Sequence, residues 1–198
     1  MTAKHLSFTI LGTGALGGFY GSRLLQGGST VRFIAHSDVD WMRTHGLRVD
    51  SPLGDLVHQP VEVYASADAI PPSDVVCVAL KTTQNAQLPE LLKPLVRAGT
   101  VILNLQNGLT MEDELAAAFP DACVIAGLCV LCSSKVGRGP FAQLDYGRGR
   151  CAAFEVRGDA FADPPHVLDS EAEHRGAVHA EIDLPELRCG AWWRGCHA

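Results

Sequence analysis

Phe8-Thr9-Ile10-Leu11-Gly12-Thr13-Gly14-Ala15-Leu16-Gly17 is the stretch on which the fold turns. An apolar run meets three glycines at G-x-G-x-x-G spacing, and a helix-like stretch, Phe19 to Gln26, follows and stops at Gly27-Gly28. Strand, glycines and helix in that order give the spacing a mechanism. Gly12 permits the tight turn out of the strand, Gly14 lets a pyrophosphate approach the backbone, and Gly17 lets the helix pack close to the sheet. The N–H groups at the helix start then hold phosphates without a cationic side chain. The reading is dinucleotide binding through Gly12, Thr13, Gly14, Ala15, Leu16 and Gly17.

Outward from this turn, short apolar runs alternate with helical patterns to about residue 130, the signature of βαβ units and a parallel sheet. Thr30 to Ala35 is the second strand. Asp74 to Leu80 is nearly continuously apolar, as in a strand covered on both faces. Leu88, Leu91, Leu92, Leu95 and Val96 fall at i, i+3, i+4, i+7 and i+8 and predict one helix ending near Gly99. Thr100 to Leu105 and Val124 to Leu131 read as further strands, and Phe141 to Phe154 supplies one or two more. Thr110 with Asp113 resembles a capping box for a helix running to Phe119. Leu47 to Val49 and Val61 to Tyr64 read as short strands around Pro52-Leu53-Gly54.

The expected fold is therefore α/β and Rossmann-like, with helices on both faces of a mostly parallel sheet. It spans residues 1–156. From 157 to 198 the periodicity decays around Pro164-Pro165 and scattered histidines, which reads as the incomplete start of a second, helical domain.

At 198 residues, 47% hydrophobic and 19% charged, the composition is that of a globular protein with one good core. A net charge of -6 argues against nucleic acid, whose binders show a basic face. No run approaches the roughly 20 apolar residues needed to span a bilayer. Met1 to His5 leads straight into the first strand, leaving no room for a signal peptide, so the expectation is a cytoplasmic protein whose seven cysteines are reduced. Cys129-Val130-Leu131-Cys132 has C-x-x-C spacing but no second pair, so buried thiols explain it better than a metal, and no metal is expected.

Ligands in open α/β sheets bind beyond the carboxyl ends of the strands. His36-Ser37, Lys81-Thr82-Thr83 and Gln106-Asn107-Gly108 all follow strands there. His36 lies 19 residues past Gly17, where a carboxylate favours NAD and a cation favours the 2′-phosphate of NADP. An imidazole beside phosphate can be cationic, and a solvated loop histidine is the equal alternative. Lys81 is placed to meet a phosphate, the nicotinamide ribose or a substrate carboxylate, against the alternative of a snorkelling lysine. Asn107 can donate and accept near the nicotinamide, or simply form an Asn-Gly turn.

These pieces resemble the ketopantoate reductase (2-dehydropantoate 2-reductase) family. The match comprises Gly12 to Gly17, Leu80-Lys81-Thr82-Thr83-Gln84, Leu105-Gln106-Asn107-Gly108 and Gly127 with its strand, over residues 6 to 135. The resemblance implies a step of pantothenate biosynthesis, hydride transfer between NADPH and a small 2-keto acid, with a helical C-terminal domain completing the cleft. It implies that Lys81 and Asn107 contact the cofactor, Asn107 the substrate too, and that Ser133 makes a further cofactor contact.

The chain also departs from the family. His36 stands where the family usually has Arg, which leaves NAD open beside NADP. Gly137-Arg138-Gly139-Pro140-Phe141 replaces a Pro-Gly-His-like turn. By the resemblance, the family's acid lysine lies in a segment resembling R-W-x-K-L followed by asparagines, whereas here Leu184-Pro185-Glu186-Leu187-Arg188 runs on to Trp192-Trp193 and no lysine follows Lys135. No catalytic residue is therefore assigned. Without a proton donor the expectation is a truncated or frameshifted member, able to bind cofactor but weak or inactive as a reductase. A non-catalytic NADP(H)-binding or interaction module is the alternative, and a methyltransferase is disfavoured by the missing carboxylate directly after the second strand. Oligomeric state is left open, a homodimer included.

Overall fold

The computed structural model describes residues 6–51, 54–108, 111–130, 133–137, 140–143 and 150–157. In chain order these form β1 (Ser7–Leu11), α1 (Ala15–Gln26), β2 (Thr30–Ile34), α2 (Val39–His45), β3 (Leu47–Asp50), β4 (Leu56–His58), β5 (Glu62–Tyr64), β6 (Val75–Val78), α3 (Leu88–Leu92), β7 (Val101–Asn104), α4 (Met111–Ala118), β8 (Cys123–Val130), β9 (Ser133–Lys135), β10 (Pro140–Gln143) and β11 (Arg150–Arg157). The main sheet has the order β11-β8-β7-β6-β1-β2-β5. All its pairings are parallel except β11 on β8. A second sheet, β4-β3-β10-β9, packs on α1.

Alternation along the central strands explains why they are apolar throughout. Phe8, Ile10, Val75 and Cys77 point into one core with Phe19, Phe33, Met42 and Leu47. Leu11, Val76 and Val78 point into the other, against Leu88 and Leu92 of α3 and Leu115 of α4. Successive strand residues face opposite sides, so a sheet covered twice needs apolar side chains at every position. The lower edge of β1 is fixed by polar bonds: Asp74 Oδ2 accepts from Ser7 N at 2.9 Å and from Ser7 Oγ at 2.7 Å.

The structure departs from the sequence expectations locally. The stripe Leu88 to Val96 packs as one apolar face but is not one helix. Thr82–Gln87 forms a 3-10 segment, α3 covers only Leu88–Leu92, and turns follow. Pro94 supplies no N–H to continue the ladder, and Leu95 N donates instead to the Leu92 carbonyl at 2.8 Å, in a tighter turn that keeps Leu95 buried. The helix α2 and the strands β4 and β9 were not expected from the sequence, whereas the region from Phe141 holds two strands, β10 and β11. Thr110, Cys132 and residues 158–198, with the expected second domain, lie outside the described residues. No described helix is long and apolar enough to cross a membrane.

Candidate functional site

Strand order reverses between β1 and β6, and a ligand crevice forms outside the carboxyl ends of such a pair. The glycine turn stands at one lip. Thr13 donates to the Ile34 carbonyl from its amide at 3.1 Å and from Oγ1 at 2.9 Å, tying the turn to the end of β2.

The three glycines have separable roles. Gly12 sits at φ +105°, and a Cβ there would lie 2.9 Å from the Ala79 carbonyl carbon. A Cβ on Gly17 would press on the Gly12 carbonyl oxygen and stand 2.8 Å from the Ile10 side chain. Gly14 is different: a Cβ would meet nothing within 4 Å among the described residues. Its backbone is extended, at φ -89° and ψ -164°, and it begins α1 without a side-chain cap or an acidic residue in the first turn. Open space therefore faces a helix start whose orphan N–H groups attract anions. The residues present fit a pyrophosphate there.

Lys81 follows β6 and is exposed, with no ion-pair partner among the described residues. Asn107 follows β7 and is also exposed. The neighbour of each is held by one buried amide. Gln106 Nε2 donates to the Leu80 carbonyl at 3.0 Å and to Asn85 Oδ1 at 2.8 Å, while its Oε1 is buried without a partner among the described residues. Below it, Asn104 Nδ2 donates to Glu112 Oε1 at 2.8 Å, both residues being buried.

His36 is exposed just after β2, on the other side of the turn. Ser133, on β9, donates from Oγ to the Ala15 carbonyl at 3.3 Å. All the expected site positions thus collect at one end of the sheet, with Gly12 to Gly17 central, Lys81 and Asn107 to one side, and His36 and Ser133 to the other. Sequence reasoning noted Gln106 beside Asn107 but gave it no role, and passed over the Asn104–Glu112 pair and an ion pair between Lys135 and buried Asp38. A polar Asn104 inside the run Val101 to Leu105 was the available signal, because a buried amide needs a partner. Among the described residues no group of three or more His, Cys, Asp and Glu side chains is placed to hold a metal.

Comparison with known proteins bears on this geometry. A family model described as ketopantoate reductase PanE/ApbA matches residues 8–155. A 2-dehydropantoate 2-reductase of a Nostoc species is 49% identical over 141 residues, covering 71% of this chain and 44% of that protein. The solved 2-dehydropantoate 2-reductase of Geobacter metallireducens superposes with a TM-score of 0.70 at 33% identity, covering 96% of this chain and 56% of that one. The corresponding structure from Methylococcus capsulatus gives 0.69 at 33% identity, over 75% and 49%. The chain thus spans about half the length of these relatives.

Proposed function

The chain belongs to the ketopantoate reductase family, and from that membership we propose that it binds NADP(H) at the glycine turn for hydride exchange with a small 2-keto acid. The observation that carries this reading is the open space before Gly14 at the uncapped start of α1. Backbone N–H groups of Gly12 to Gly17 hold the pyrophosphate. A bound nicotinamide supplies the hydride. Lys81 offers an ammonium to the cofactor ribose or the substrate carboxylate, and Asn107 offers donor and acceptor to nicotinamide and substrate. His36 and Ser133 complete the cofactor contacts. Residues 1–156 form the nucleotide unit, and 157–198 begin the substrate domain. The reading places the protein in the cytoplasm, in pantothenate biosynthesis.

Reducing a carbonyl also requires a proton donor where negative charge builds on oxygen. In the segment that resembles the family's lysine-bearing stretch this sequence runs Leu184-Pro185-Glu186-Leu187-Arg188-Cys189-Gly190, without a lysine. That local departure favours, as a second reading, a module that binds NADP(H) without turning substrate over. Titration with NADPH, NADH and S-adenosylmethionine, followed by ketopantoate while nicotinamide absorbance is monitored, separates these. Binding with slow turnover supports the reductase, binding without turnover supports the module, and binding of S-adenosylmethionine alone or of nothing overturns both.

A further inference from the structure

The loop after β2 contains a charge pair that the glycine turn does not use. Asp38, two residues past His36, is buried, and its Oδ2 is ion-paired with Lys135 Nζ of β9. Its Oδ1 accepts from Ser37 Oγ at 3.3 Å. The Lys135 side chain remains 31% exposed, against 7% for Asp38. Ser133 lies two residues earlier on the same strand, hence on the same face, and reaches the Ala15 carbonyl in the first turn of α1. The strand β9 therefore spans from the start of α1 to the loop after β2. In a dinucleotide fold that interval takes the adenosine ribose.

Charge decides which nucleotide fits there. A carboxylate past the second strand accepts from a ribose 2′-hydroxyl and repels a 2′-phosphate, and a cation does the reverse. This chain brings both to one loop, from different strands. His36, the residue at the usual position, is exposed and makes no ion pair among the described residues. We propose that Lys135 is the specificity-determining cation of this site: it neutralises Asp38 and presents its charge to the adenosine 2′-phosphate, so that NADP(H) is preferred over NAD(H). This inference rests on the dinucleotide reading above. When Lys135 is lost, Asp38 becomes an unpaired carboxylate that favours the hydroxyl.

The test compares NADPH and NADH affinities, by nucleotide fluorescence titration, in the full chain and its variants. The wild type binds NADPH more tightly. Lys135→Gln weakens NADPH by on the order of ten- to hundredfold, the worth of one charge-assisted hydrogen bond, while NADH is unchanged or tighter. Lys135→Arg keeps the wild-type preference. Because Lys135→Gln leaves a buried carboxylate unpaired, the double variant Lys135→Gln/Asp38→Asn guards against loss of fold, and it too loses the NADPH preference. A wild-type preference for NADPH that survives in the folded double variant overturns this inference alone, as does a wild type that prefers NADH. Wild-type protein that binds neither nucleotide overturns the dinucleotide reading and this inference with it.

Discussion

Gln106 donates from its buried Nε2 to the carbonyl oxygen of Leu80, 3.0 Å away, and so joins the residue before Asn107 to the residue before Lys81. The amide orientation is fixed by chemistry, because a carbonyl can only accept. Replacing Gln106 with Ala leaves a part-buried carbonyl without its donor and costs about 1–3 kcal/mol. Urea unfolding reads that loss. Nucleotide affinity falls as well, because the two loops are no longer held together, whereas a role confined to stability leaves affinity unchanged once the variant is folded.

His58 gives the protein a defined response to acid. Its Nε2 lies 3.0 Å from Ser22 Oγ, and burial pushes its pKa below the ordinary 6.5, with the Ser22 contact opposing in part. The unfolded chain therefore takes up a proton that the folded chain resists. Stability falls as pH drops through about 6.5 toward the lower folded value, and is restored above it. Urea midpoints measured at pH 7.5 and 5.5 should differ, and His58→Gln should narrow the gap. An unchanged gap would assign the acid sensitivity to other groups.

Cys77 should be silent toward thiol reagents in the folded protein. It is 2% exposed on β6, and desolvation, with a smaller contribution from Cys129, pushes its pKa up to about 12. The thiolate is the reactive form, so native protein leaves Cys77 unlabelled by a chromogenic disulfide, whereas denatured protein labels it. Peptide mapping after native labelling tests this, and modification of Cys77 at a rate comparable to exposed thiols would contradict it.

The sheet was legible because its physics is local. Strands buried on both faces must be apolar at every position, and the run Val75 to Val78 says so directly. The glycine turn was legible because Gly12 and Gly17 each answer a steric demand visible in the fold. What escaped depends on distant partners. The small sheet pairs β3 with β10 across roughly ninety residues of chain, and three-residue β9 carries no pattern of its own. Lys135 and Asp38 lie 97 positions apart, so nothing near either residue announces their ion pair. The helix expected through Val96 was lost for a local reason, Pro94, which the leucine spacing concealed.

Gly14 tests the central claim most directly, by contrast with Gly17. At Gly17 a methyl group meets the Gly12 carbonyl oxygen and Ile10, so Gly17→Ala destabilises the fold by about 1–3 kcal/mol and confounds any binding result. At Gly14 the backbone is extended and the space ahead is open, so Gly14→Ala keeps the fold and changes stability by less than about 1 kcal/mol, the poorer alanine N-cap offsetting the less flexible unfolded chain. That space is where the pyrophosphate is proposed to lie. The decisive measurement is the NADPH dissociation constant of Gly14→Ala beside that of the wild type, with thermal melts confirming the fold. The account predicts a folded variant of nearly wild-type stability whose affinity is at least about tenfold weaker, a difference of about 1.4 kcal/mol. A variant that binds NADPH as tightly as the wild type would contradict it.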